Sequence, residues 1–154
     1  MKLPKGFVYF VSILCFGGLY YLSGEAGLLI DTGYQGVTPI WPPSGVALFV
    51  LLRYGLRSWP GIAIGIALLA IHHEITLVSA VAGALAQILE GSLAWRYLGR
   101  FQVRSELNTQ SQVLWFIAII AGAALASATV GSVGMVVGNT AQPAELGMIF
   151  TMWW

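Results

Sequence analysis

The stretch Trp41-Pro42-Pro43-Ser44-Gly45 constrains this chain more than any other. It lies inside an apolar segment, yet two adjacent prolines lack the amide proton and fix φ, so they fit only the first turn of a helix, where amides have no intrahelical partner. A helix therefore starts at Pro42. The next charge is Arg53, which at about 1.5 Å per residue lies roughly 16 Å further on. A bilayer core is about 30 Å thick. The helix thus reads as a half-span whose beginning lies within membrane depth, entered through non-helical chain at residues 37–41. Irregular backbone is tolerated there only where protein buries it or it lines a wet cavity, and in transporters such proline-interrupted spans point to a binding site.

The rest of the chain supports a membrane setting. It is 58% hydrophobic and 8% charged, where soluble domains carry about 25% charged residues. The expected fold is an all-α integral membrane protein, a polytopic helical bundle of five spans plus an incomplete sixth, with the second span interrupted at Trp41-Pro42-Pro43. The first span covers residues 6–22 and is retained rather than cleaved, because no small-residue cleavage site follows Lys2 and Lys5. A polar, glycine-rich connection occupies residues 23–36. The second span covers 37–52, and Trp59-Pro60 opens the third, which ends at His72-His73-Glu74. The fourth runs over 75–95 and the fifth over 113–138, with a basic linker between them. Residues 146–154 reach only about 14 Å as helix.

Orientation follows from the positive-inside rule. With the N-terminus cytoplasmic, all seven basic residues fall on that side: Lys2, Lys5, Arg53, Arg57, Arg96, Arg100 and Arg104. Glu25, Asp31, Glu74 and Glu145 fall on the other. The expected location is a bacterial inner membrane, multi-pass, with the lipid bilayer as the first partner. A net charge of +1 provides no basic field for nucleic acid. Cys15 is the lone cysteine, and the composition implies no cofactor.

Three groups of residues carry candidate function. Gly61 and Gly65 on the third span, and Ala123, Ser127, Gly131, Gly134 and Gly138 on the fifth, form small-residue faces that let helices approach closely, within the bundle or in a homodimer. On the fourth span Ser79, Gly83, Gln87 and Glu90 share one face. Glu90 lies about 9 Å inside the membrane from Arg96, where an ionisable group is either interhelical polar glue or a ligand, proton or signalling site. The triplet His72-His73-Glu74 is expected to end a helix rather than hold a metal, since adjacent helical residues point about 100° apart. His72 and Trp41 fall at similar heights and, with Pro42, Pro43, Ser44 and Trp153, are candidates to line an outward-facing, ligand-binding cavity. Trp59, Trp95 and Trp115 read as interfacial anchors.

In order, Trp41-Pro42-Pro43-Ser44-Gly45, Arg57-Ser58-Trp59-Pro60-Gly61 with Gly65, Glu90 ahead of Arg96-Tyr97-Leu98, Ser127-Ala128-Thr129-Val130-Gly131, and Trp153-Trp154 form a pattern. The chain resembles the N-terminal half of a MASE-type domain, the first family of these bacterial membrane-associated sensors. The resemblance covers nearly the whole chain. It implies a sensory input module, not itself an enzyme, that binds a small ligand or membrane partner and regulates a cytoplasmic output domain or partner protein: a GGDEF cyclase or EAL phosphodiesterase of cyclic di-GMP, or a histidine kinase. The family's Gly-Asp element after the paired tryptophans, its further spans and its output domain are not in these residues, so the expectation is a truncated sensor domain. The alternative is a membrane substrate-binding or transport subunit, which would bind or move solute without any catalytic output.

Overall fold

The computed structural model describes residues 4–30, 40–103 and 107–153. Among the described residues six helices follow one another: α1 (Lys5–Leu28), α2 (Pro42–Tyr54), α3 (Trp59–His72), α4 (Leu77–Arg100), α5 (Gln110–Val137) and α6 (Leu146–Trp153). Short 3-10 turns, Leu56–Ser58 and Pro143–Glu145, lead into α3 and α6. The described residues contain no strand. The lead-in at 37–39, Lys2, Asp31, Arg104 and Trp154 lie outside the described residues.

Local chemistry explains the boundaries. Trp41 caps α2 in an extended conformation (φ −112°, ψ 85°), and Pro42 and Pro43 occupy the first turn. The Ser44 amide closes that turn onto the Trp41 carbonyl at 3.1 Å. Gly55 ends α2 at φ 82°, a conformation in which side chains are strained. Pro60 then sits in the first turn of α3. Thr76 and Thr109 cap α4 and α5, their hydroxyl oxygens accepting from the amides of Ser79 and Gln112. The Thr109 cap draws polar Gln110, Ser111 and Gln112 into α5, three residues earlier than the apolar run suggests. At its other end α4 continues past Trp95 to Arg100.

The largest departure from the sequence reading is in α1, which runs on to Leu28 through the stretch expected to be a connection. Nothing there breaks a helix. The Ser23 hydroxyl donates to the Tyr20 carbonyl at 2.8 Å and is satisfied inside the helix. Gly24 faces Leu69, and Gly27 faces Pro42 and Trp41, at distances that leave no room for a Cβ. These glycines serve close approach rather than a turn.

Among the described residues three helices, α1, α4 and α5, have 24, 24 and 28 residues and are long and apolar enough to cross a membrane. At about 1.5 Å per residue, α2 and α3 each reach about 20 Å and form a short hairpin joined at Gly55. Phe7, Phe10, Leu14 and Leu22 on α1, and Leu114 and Ile117 on α5, are exposed, as expected of side chains facing hydrocarbon.

The bundle is held by backbone proximity. α1 and α3 meet where Gly61 abuts Phe16, Gly65 abuts Tyr20 and Gly17 abuts Ile64. Gly91 of α4 receives Leu51 of α2. α4 and α5 touch at Gly134 against Ala82 and at Gly138 against Ser79, whereas Gly131 receives the Trp153 ring of α6. The small-residue stripe on α5 therefore faces two partners within the bundle. One core cluster gathers Tyr20, Ala47, Leu51, Ile62 and Leu69, with Trp41 and Tyr21 packed against it; a second gathers Ala94, Leu98, Ile119 and Ala123.

Gly65→Val is expected to force α1 from α3, because the new Cβ would meet Tyr20 and the Gly17 carbonyl. Overpacking costs about 1–3 kcal/mol, read as a lower unfolding midpoint in detergent. An unchanged midpoint would contradict this contact.

Candidate functional site: a buried polar hub and a histidine cluster

Two polar groupings stand out from the apolar bundle. The first centres on Gln87 of α4, which is 4% exposed. Its Oε1 accepts from the Tyr20 hydroxyl of α1 and from the Ser44 hydroxyl of α2, each at 3.2 Å. Its Nε2 donates to Oε2 of Glu90, one turn further along α4, at 3.3 Å. Gln87 thereby joins three helices through one side chain. Ser127 of α5, fully buried, lies near the Glu90 carboxyl but closes no hydrogen bond through its own hydroxyl. The hub depends on the proline-initiated start of α2, because that start puts Ser44 in the first turn. Pro43 is fully buried beneath it, and half-buried Trp41 lies beside Tyr20.

The second grouping joins the C-terminal parts of α1 and α3. Oε1 of Glu25 accepts from Nδ1 of His72 at 2.9 Å and from Nε2 of His73 at 3.0 Å. The Tyr21 hydroxyl, one turn before Glu25 on α1, lies 2.9 Å from the same Nδ1 of His72. The two imidazole rings are 4.7 Å apart. The expectation that these histidines diverge is corrected here. His73 has left regular helix (φ −101°, ψ 14°), although its amide still bonds the Leu69 carbonyl, and Glu74 follows at φ 53°. The 100° offset of adjacent helical residues no longer applies, so both rings turn to one carboxylate. Glu74 takes no part in the cluster.

His72 is drawn towards Glu25, while Trp41 packs on the core around Tyr20 and Leu69. Trp153 fills the space over Gly131. An open apolar groove of about 670 Å³ runs along α4 and α5, past Leu77, Val81, Leu85, Thr129 and Val133. Glu90 and His72 belong to separate networks.

Sequence reasoning missed Tyr20 and Tyr21, and it treated Glu25 only as an outer-face charge. The spacing of Tyr21 and Glu25, four apart, is the signal that places both on one helical face, and the polar, glycine-rich composition of residues 23–36 obscures it.

Long apolar helices, glycine-mediated contacts and a buried polar hub define a helical membrane domain. The chain belongs to the MASE1 family, whose model matches residues 9–154. MASE1 is a family of membrane-associated sensory domains, not catalytic ones. No curated protein and no solved structure shows significant similarity to the chain.

Proposed function

We propose that this domain is a sensory input module of a bacterial inner membrane, with a cytoplasmic N-terminus, which takes up a small ligand or membrane partner and regulates cyclic di-GMP turnover or a histidine kinase. The observation that carries the reading is the Gln87 hub. Directional bonds from one buried amide to α1 and α2 hold only in a narrow range of helix positions. A ligand favouring a second packing would break them, and a signal requires such differential affinity for two arrangements.

Orientation is supported by the arrangement of charge. The Tyr9 hydroxyl of α1 bonds the Arg57 carbonyl at 2.9 Å, so Lys5, Arg53 and Arg57 lie towards one end. Glu25 and the histidines lie towards the other. The five-span count needs the α2–α3 hairpin to cross as a pair of short helices, which a locally thinned or tilted environment accommodates. A transport reading gains no support from Trp41 and Pro43, which are packed into the bundle.

A hydrogen bond between membrane helices contributes about 0.6 kcal/mol, which corresponds to about threefold in a two-state equilibrium. With the domain in its native gene, Tyr20→Phe is therefore expected to shift cellular cyclic di-GMP or kinase phosphorylation about threefold at normal protein abundance. Outputs unchanged in both Tyr20→Phe and Ser44→Ala would reject the hub as a signalling element.

A further inference from the structure

We propose that Glu25, His72 and His73 form a binding site for one divalent transition cation of the zinc class. As a ligand for the sensory module, the ion rests on the functional reading above; as a binding site, the cluster stands on its own geometry.

Two imidazoles and one carboxylate are a donor set that suits zinc and its neighbours, while magnesium and calcium prefer oxygen alone. The donor atoms Nδ1 of His72, Nε2 of His73 and a Glu25 oxygen all lie within 4.8 Å of one another. Zinc ligands about 2.0–2.2 Å from a tetrahedral ion stand about 3.3 Å from each other. The two nitrogen–oxygen separations here, 2.9 and 3.0 Å, are already close to that spacing. Both ring nitrogens aim at the same oxygen, so their lone pairs would meet an ion placed between them once the rings lose those protons and the carboxylate withdraws slightly. No helix has to move.

The setting favours binding in two further respects. Side-chain exposure is 57% for His72, 35% for His73 and 28% for Glu25, so an aqueous ion reaches the donors and water completes its coordination. Tyr21 interacts with both Glu25 and His72, as do the outer partners that orient metal ligands. A simple ion-pair clamp between α1 and α3 needs a single histidine. Here the backbone departs from helix at His73, and a second ring arrives at an oxygen that already has a donor. An ion held by both helices would fix α1 to α3 at the end opposite the basic residues, one turn from Tyr20 and the Gln87 hub.

The test uses the full chain in lipid nanodiscs, stripped of metal with a chelator and titrated with zinc chloride against a competing indicator. The expected result is one zinc per chain, with Co²⁺ giving visible bands of a site containing imidazole ligands. His72→Ala, His73→Ala and Glu25→Gln are each expected to weaken binding by at least the roughly 10–100-fold lost when even an outer-shell partner is removed. Glu74→Gln is expected to leave it unchanged. Absence of saturable zinc binding by the wild-type chain, or zinc binding undiminished in His72→Ala/His73→Ala, would overturn the site; the first result needs no variant to fold. Output is read separately in the native gene: a zinc response lost in Glu25→Gln supports the ion as the signal, and an output indifferent to zinc in a chain that binds it overturns that role.

Discussion

Gln87→Leu is expected to lower the unfolding free energy of the domain in detergent by about 2–4 kcal/mol, with three hydrogen bonds lost and their partners left behind. The loss falls on three elements at once. Tyr20 on α1 and Ser44 on α2 lose their acceptor, and Glu90 loses a donor. Tyr20 is 2% exposed, so little water is at hand to replace the bond. Leucine matches glutamine in size, which confines the change to polarity. The diagnostic is a double-mutant cycle with Tyr20→Phe. Alone, Tyr20→Phe should cost up to about 1.7 kcal/mol; in the Gln87→Leu background it should cost almost nothing, because its partner has already gone. Strictly additive costs would show that Tyr20 and Gln87 do not share a bond. Glu90→Gln, by contrast, keeps an oxygen to accept from Gln87 and should change stability little.

The sequence announced this hub only in part. Glu90 was legible because a carboxylate within an apolar run needs an account, and Gln87 because it shares the same helical face. Their partners were not, since Tyr20 sits in an uninterrupted apolar span where one hydroxyl is easily overlooked, and its destination depends on how α1 packs. The starts of α2 and α3 were legible for a local reason: proline tolerates only a helix's first turn, whatever surrounds it. The end of α1 was not, because serine and glycine have two meanings. In water they favour turns; against an apolar neighbour they permit close approach, as Gly24 does with Leu69. Reading the first meaning ended the helix early and hid Glu25 from Tyr21. The histidine pair failed for a related reason. Helical spacing separates adjacent side chains only when both residues lie inside a helix, and His73 is already outside it.

Glycine roles also separate by what each would strike, and this gives the second large effect. Gly134→Leu is expected to cost at least the roughly 1–3 kcal/mol of an overpacked core, because any Cβ there would collide with the Cβ of Ala82 on α4, whose backbone is already in van der Waals reach. The contact cannot easily yield. Beside it the Ser79 hydroxyl lies 3.4 Å from the Gly134 carbonyl and 2.6 Å from the Thr140 hydroxyl, and the Thr76 hydroxyl donates to the Gly138 carbonyl at 2.8 Å. These bonds tie α4 to α5 at the same end of the interface. Gly131→Ala should cost less, since its neighbour is the ring edge of Trp153 on an eight-residue helix that can shift. Gly122→Ala, with nothing nearby, should stabilise α5 by up to about 1 kcal/mol through helix propensity alone. The decisive variant is Gly134→Ala combined with Ala82→Gly, which moves one methyl from α4 to α5 across the same gap. It should recover most of the stability lost in Gly134→Ala. Failure to recover, with Ala82→Gly alone well tolerated, would mean that the two helices do not meet at this pair.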